Sequence, residues 1–435
     1  MERIKALATE ATVYSPLEAG YFDEGLLARE MERVMDVCQL CRLCFNLCPA
    51  FPYLFKAVDA AHGEVRALTQ PQLDRVVDLC YQCGLCYPKC PYTPAEKHEF
   101  RLDFPHLMQR AKAIRTRNQG VSWRDWLLAR PDLLGRVAGL TPWLVNFSNR
   151  LLPFRWALRW VLGIHIQKRL PNFHGQTLQH WFNKNRKHYA VAQPQGKVLL
   201  FQTCFGNYND PSIGQAALEV LHHNDLQVEM DYKTCCGMPL LDAGDMAAAQ
   251  KQAQANIAHL LPYVQQGYTI LALNPTCSKM MRQEYPALVA GEDARTLAAA
   301  VQDTSEYLNL CAKEGRLKTD FRSAPPQVTY HVPCHLRMQN MGYPARDLMR
   351  KMAPDTQVEL VTECSGHDGT WAMKQEFFAL SLEAGKKASQ KLAQAEPGIA
   401  ASDCPLAAMH LEQTTGKRVL HPMQILARAY KGEKF

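Results

Sequence analysis

Short apolar runs recur along the second half of the chain, and each closes on a cysteine. KVLLFQTC ends at Cys204 and QVTYHVPC at Cys334. QVEMDYKTCCG ends on Cys235-Cys236-Gly237, and QVELVTECSG on Cys364-Ser365-Gly366. YTILALNPTC ends at Cys277 and GIAASDC at Cys404. Such runs predict buried strands. Stretches of helical period lie between them, such as PSIGQAALEVLHHND and AGDMAAAQKQAQANIAHLLPYV. Strands alternating with helices predict parallel sheets. The steps repeat as well: Cys204 to Cys235 is 31 residues and Cys334 to Cys364 is 30, while Cys236 to Cys277 is 41 and Cys364 to Cys404 is 40. Two duplicated α/β halves are expected, 191–320 and 321–435. Their cysteines would gather at strand carboxyl ends, where open α/β sheets bind ligands.

The first 110 residues are patterned differently. Between Cys48 and Cys80 the run FPYLFKAVDAAHGEVRALTQPQLDRVVDL has helical period, so an all-α head is expected over 1–110. A basic, tryptophan-rich stretch over 111–190 joins it to the repeats. Pro131, Pro142 and Pro153 would cut that stretch into short helices.

Cysteine spacing supplies the chemistry. Cys38-x2-Cys41-x2-Cys44-x3-Cys48-Pro49 is followed by Cys80-x2-Cys83-x2-Cys86-x3-Cys90-Pro91. This is the two-cluster bacterial ferredoxin spacing, in which the fourth cysteine of each motif serves the other cluster. Cys38, Cys41, Cys44 and Cys90 would hold one [4Fe–4S] cluster, and Cys80, Cys83, Cys86 and Cys48 the second. Zinc would leave the third cysteine and the Cys-Pro of each motif without a purpose. In the repeats, Cys204, Cys235, Cys236 and Cys277 make four candidate ligands. Cys334, Cys364 and Cys404 make three, with His335, His367 or Asp403 as a candidate fourth and His331 close by. Cys311 lies outside both repeats and reads as a core residue.

Composition narrows the class. The 435 residues carry 49 basic and 42 acidic side chains, hence +7, and sixteen cysteines. The chain has no apolar run of membrane-spanning length, and MERIKALATEATVYSP lacks the features of an export signal. A cytoplasmic protein is expected, with thiols used as ligands and not as disulfides. Residues 121–170 hold Arg124, Arg130, Arg136, Arg150, Arg155, Arg159, Lys168 and Arg169 against Asp125 and Asp132, together with five of the seven tryptophans. Trp, Leu and Arg at helical spacing suit a helix lying on a membrane interface, peripheral on the inner face of the cell membrane. The same face could dock a protein partner or pack on its own chain. Nucleic acid is not expected. Gly-x-Gly-x-x-Gly, the phosphate loop and Gly-x-Ser-x-Gly are missing, so no flavin or nicotinamide site is expected and a redox partner is needed.

In this order, the head, the middle and the Cys-Cys-Gly half-repeats resemble the iron–sulfur subunits related to heterodisulfide reductase, a group that includes the iron–sulfur subunit of anaerobic glycerol-3-phosphate dehydrogenase. The resemblance runs from CRLCFNLCPAFP to LHPMQILARAY. It implies an electron-transfer subunit, which passes electrons between a flavin dehydrogenase and membrane quinone, with two [4Fe–4S] clusters and a further redox centre in the repeats. It also implies two alternatives: a soluble donor to a rubrerythrin-like di-iron protein, or a disulfide or thiol reductase acting at the Cys-Cys-Gly site. In the family each repeat carries Cys, Cys-Cys-Gly and Cys-x-x-Cys. Here Met280 follows Cys277, Ser365 replaces a cysteine and Ala407 follows Cys404. Those losses weigh against the reductase.

Overall fold

The computed structural model describes residues 12–394 and 398–435. Residues 1–11, which include most of the segment read above for an export signal, lie outside the described residues.

The head is helical. Helix α1 (Glu24–Cys41) begins where the Asp23 carboxylate accepts the Leu26 N–H at 2.7 Å. It stops at Arg42, which turns left-handed at φ 51° and carries the chain round the first cysteine motif. Helix α2 (Ala50–Ala60) follows Pro49, and α3 (Gln70–Leu79) starts from a Thr69–Gln72 capping box and stops at Cys80. Helix α4 (Phe104–Gln119) closes the domain. Met31, Val34, Phe51, Leu54, Val76 and Leu107 pack between these helices as one core. Position 110, expected to end the head, falls inside α4, whose Ala111, Ala113 and Ile114 are buried.

Four short helices form the middle: α5 (Trp123–Leu128), α6 (Pro131–Ala138), α7 (Pro142–Ser148) and α8 (Leu152–Leu162). Pro131, Pro142 and Pro153 each stand in a first turn, where a missing N–H costs nothing.

The repeats build two four-stranded parallel sheets. The first contains β1 (Gly196–Phe201), β2 (Leu226–Glu229), β3 (Thr269–Ala272) and β4 (Val301–Asp303), in the order β2-β1-β3-β4. The second contains β5 (Gln327–His331), β6 (Gln357–Val361), β7 (Ile399–Ser402) and β8 (Val419–Leu420), in the order β6-β5-β7-β8. The duplication read from spacing is thus a duplication of topology. In both sheets the order reverses between the first and third strands, and the crevice at such a switch point is where open α/β sheets bind ligands.

Helix α9 (Pro211–His223) of the first repeat packs on α10 (Pro422–Lys431) of the second. Val198, Leu200, Leu218, Val328, Tyr330 and Leu426 share one core, so the repeats form a single body. The short helix after β3 (Pro275–Lys279) packs against the short helix after β5 (Cys334–Met338). This contact brings the cysteine-bearing ends of the two sheets together.

Candidate redox site

The eight head cysteines lie in two neighbouring groups. Cys38, Cys41, Cys44 and Cys90 line one cavity, walled by Val37, Phe51, Phe55 and Leu102. Cys86 is within electrostatic reach of Cys83, Cys80, Cys48 and Cys44, so the second set assembles too and adjoins the first. Burial, and then the neighbouring thiols, push Cys38, Cys83 and Cys86 far above the ordinary thiol range. Burial raises Cys44 to about 11. Thiols gathered this densely, with little positive charge beside them, suit an iron–sulfur cluster, because coordination removes their protons outright. Among the described residues no three His, Cys, Asp or Glu side chains are placed to hold a single metal ion.

In the first repeat Cys204 follows β1, Cys235 and Cys236 follow β2, and Cys277 follows β3. The thiols form a chain of contacts, Cys204 to Cys235, Cys235 to Cys236 and Cys236 to Cys277. All four thiols are shifted upward: the hydrogen bond with Cys235 and burial raise Cys204, while in Cys235, Cys236 and Cys277 a thiol contact that pulls downward is outweighed by burial and neighbouring thiols. Two backbone features make the gathering possible. Gly237 sits at φ 97°, a conformation that L side chains rarely adopt. Thr203, just before Cys204, is held at φ 63° and ψ 157°, a region nearly reserved for glycine. Its hydroxyl accepts the Gly206 N–H at 3.1 Å.

The Cys-Cys-Gly loop is clamped by residues that spacing did not single out. The Asp132 carboxylate, reaching from α6, accepts the Cys235 N–H at 2.7 Å, the Tyr232 hydroxyl at 2.6 Å and the Thr234 hydroxyl at 2.8 Å. Gln252 and Asn256 donate to the Cys235 carbonyl, and Tyr285 to the Cys236 carbonyl. Asp132 lies over a hundred residues away in sequence, so nothing local marks it.

The second repeat differs. Cys334 lies near Cys364 and Cys404, and also near Cys83 of the head. Cys364 Sγ meets the Tyr81 hydroxyl at 3.3 Å and accepts the Gly366 N–H at 3.2 Å. Ser365 is buried. The candidate fourth ligands are mostly occupied. His335 contacts the Thr276 hydroxyl at 2.9 Å and the Gln82 carbonyl at 3.1 Å. Asp403 accepts from Ser305 and Tyr330. His331 contacts Ser402 at 3.1 Å, and burial lowers it to about 4. His367 meets Lys168 Nζ at 3.3 Å through Nδ1, and its buried Nε2 has no partner among the described residues. A cleft between the repeats is lined by Cys204, Cys235, Cys236, Cys277, Cys334 and Cys404, with His367 and Asp368 on its wall. Cys311 is buried against Leu308 and Tyr307, as a core residue.

Comparison with known proteins agrees with this geometry. Residues 31–120 match the citrate utilization protein B Fer4-like domain, and residues 198–282 and 328–412 each match the cysteine-rich domain. The two sheet-forming repeats thus each carry one match to the cysteine-rich domain. The chain is similar to a subunit of the anaerobic glycerol-3-phosphate dehydrogenase of Escherichia coli K12, 28% identical over 74% of this chain and 81% of the relative. It also resembles a subunit of the CoM/CoB fumarate reductase of Methanothermobacter marburgensis, 24% identical over 61% of this chain and 53% of that one. Lactate utilization protein A of an Exiguobacterium strain is 28% identical over 41% of this chain and 74% of its own length. Together these matches support an iron–sulfur electron-transfer role.

The tryptophan-rich face is exposed, but much of its positive charge is not. Leu140, Trp143 and Trp160 are 81%, 72% and 83% accessible, with Phe147 and Leu152 beside them. Arg155 is buried and donates to the carbonyls of Ile166, His165 and Lys168. Arg124 pairs with Glu376, Arg130 with Asp245 and Arg169 with Glu412, while Lys168 is buried. The segment's charge serves mainly to fasten it to the rest of the chain, and the outer surface is chiefly apolar. Among the described residues no helix is long and apolar enough to cross a membrane.

Proposed function

We propose that this chain is the iron–sulfur electron-transfer subunit of an oxidoreductase, carrying electrons between a flavin dehydrogenase partner, such as a glycerol-3-phosphate dehydrogenase, and membrane quinone. One observation carries the reading: the thiol sets adjoin one another in series. Cys44 of the first set neighbours Cys86 of the second, and Cys83 of the second neighbours Cys334 of the repeats. In this reading Cys38, Cys41, Cys44 and Cys90 hold one [4Fe–4S] cluster and Cys48, Cys80, Cys83 and Cys86 another. Cys204, Cys235, Cys236 and Cys277 hold a further one. Bound clusters supply one-electron transfer. The chain's own part is to keep the thiols close, buried and away from water, with Cys41 as the exposed end of the series.

The face of α5–α8 is assigned to the membrane interface on the cytoplasmic side, as a peripheral contact. An apolar patch with tryptophans at its edge suits the headgroup boundary. Because the arginines are largely tied inward, binding should persist on neutral phosphatidylcholine vesicles and change little with salt.

The deciding measurement is iron and acid-labile sulfide per chain on anaerobically purified protein, with EPR after dithionite reduction. About twelve irons per chain is the expected result. Fewer than about eight would overturn the reading, since the head alone should hold that number.

A further inference from the structure

A cavity that reaches the head lies outside the cysteine cleft, beneath α5. It measures about 370 Å³, within the range of small-molecule sites. Its walls come from α4, α5, the short helix Met238–Asp242 and residues 370–377. Its position is unusual in three respects.

First, a wall residue contacts the backbone of the head's second thiol set. Lys112 Nζ, on the cavity wall, donates to the Cys80 carbonyl at 3.0 Å. Trp371 stacks on Phe377 at 4.9 Å, and both rings line the cavity. Trp371 also lies 5.0 Å from Tyr81, whose hydroxyl meets Cys364 Sγ. A file of rings therefore leads from the cavity to the cysteines.

Second, α5 belongs to two surfaces at once. Arg124 and Asp125 face the cavity, while Trp123 and Trp126 are exposed on the outer side. The helix that walls the cavity thus also carries part of the apolar face assigned to the membrane.

Third, three ion pairs match six of the wall charges and leave Lys112 and Asp242 over. Arg115 pairs with Asp78, Arg124 with Glu376 and Lys374 with Asp125. Lys112 has no ion pair within 4 Å among the described residues, and two of its three N–H donors remain after Cys80. Asp242 lines both this cavity and the cysteine cleft. Burial holds its carboxyl above the usual range, against the pull of Lys112.

We propose that this cavity binds a quinone headgroup, with the ring against Trp371 and Phe377 and one carbonyl oxygen accepting from Lys112. The inference rests on the reading that the acceptor is a membrane quinone, and it assigns that acceptor a site. The polar walls suit the ring and its oxygens, and the exposed side of α5 suits the lipid tail. Reducing a quinone to a quinol adds two electrons to the ring and one proton to each oxygen. The electrons come from the flavoprotein donor. Asp242 supplies one proton and solvent at the mouth supplies the other.

The test uses the full iron–sulfur-loaded chain and the fluorescent quinone-site probe 2-heptyl-4-hydroxyquinoline N-oxide, titrated by quenching. Lys112→Gln should raise the Kd about tenfold, the loss of one charge-assisted hydrogen bond. Ala243→Phe, at a half-exposed position on the wall, fills the cavity without touching a thiol and should raise it more. Iron content and vesicle flotation are followed in both variants. Should Lys112→Gln lose iron, Ala243→Phe decides alone. Weaker binding with iron intact supports the site. Equal binding by wild type and variants overturns the site and leaves the acceptor reading standing. No binding by the fully loaded wild type overturns the acceptor reading, and this inference with it.

Discussion

The two repeats share a sheet order, a strand-end placement of cysteines and one core, yet their thiols do different things. In the first repeat four thiols touch in series, and a carboxylate, two amides and a phenol hold the loop from behind. In the second, three thiols remain, and Cys364 turns toward Tyr81 of the head. One half is built as a container, the other as a joint. Duplication therefore preserved the scaffold, while each copy's ligand set was free to change, because buried strands fix the fold and loops at their ends carry the chemistry.

The sharpest way to break the comparison is at the two loop glycines. An added Cβ at Gly366 would stand 2.0 Å from the Ser381 carbonyl oxygen, with φ at +74°. At Gly237 the nearest atom would be 3.5 Å away. Gly366→Ala should cost more than about 4 kcal/mol and leave little folded protein. Gly237→Ala should cost about 1–2 kcal/mol, from backbone strain alone. Urea unfolding followed by circular dichroism separates the two, and equal losses would contradict the packing difference.

Iron content gives the next contrast. Cys235→Ser should remove about four irons per chain, whereas Cys364→Ser should leave the total unchanged. Loss of iron in both would make the second repeat a cluster site as well.

Acid–base behaviour divides the regions in opposite directions. Where the head meets the first repeat, His106 lies 2.7 Å from Asp103 and 3.3 Å from Glu284. Burial opposes its charge, yet these two carboxylates prevail and raise it to about 10. Folding there favours the protonated imidazole. Its contribution is complete below about pH 6.5 and is lost as pH rises through 10. Where the middle segment meets the second repeat, Lys168 Nζ lies 2.6 Å from His410 Nδ1, and burial lowers the amine to about 7. Folding there disfavours the charged amine, so stability grows as pH rises from about 7 toward 10.5. His106→Gln should steepen the rise in stability between about pH 7 and 10, and Lys168→Met should flatten it, each by about 1.4 kcal/mol per unit of pKa shift at most. Stability curves at fixed ionic strength read both slopes.

A last contrast concerns the clamp. Asp132→Asn keeps the shape but loses charge-assisted bonds to Cys235, Tyr232 and Thr234. A loss of about 1.5–3 kcal/mol is expected, with iron in the first repeat becoming easier to chelate. An unchanged chelation rate would mean that Asp132 only ties the middle segment down.

Sequence pattern alone determined a good deal. Apolar runs marked six of the eight strands: the inner strands β1, β3, β5 and β7 are apolar on both faces, and the edge strands β2 and β6 alternate. β4 and β8, at sheet edges with three and two residues, were too short to leave a period. The short spacing of the eight head cysteines marked out two candidate thiol sets, because short loops restrict where a ligand can reach. Tertiary structure decided the rest. It put Asp132 behind Cys235 and set Lys168 against His410. It drew Arg155 inward from a face that composition had counted as basic, and it opened a cavity under α5 against Lys112. Each of these joins residues distant in sequence by packing that no local pattern encodes. The chain writes its ligands at close intervals, but what supports and addresses them exists only once the helices have docked.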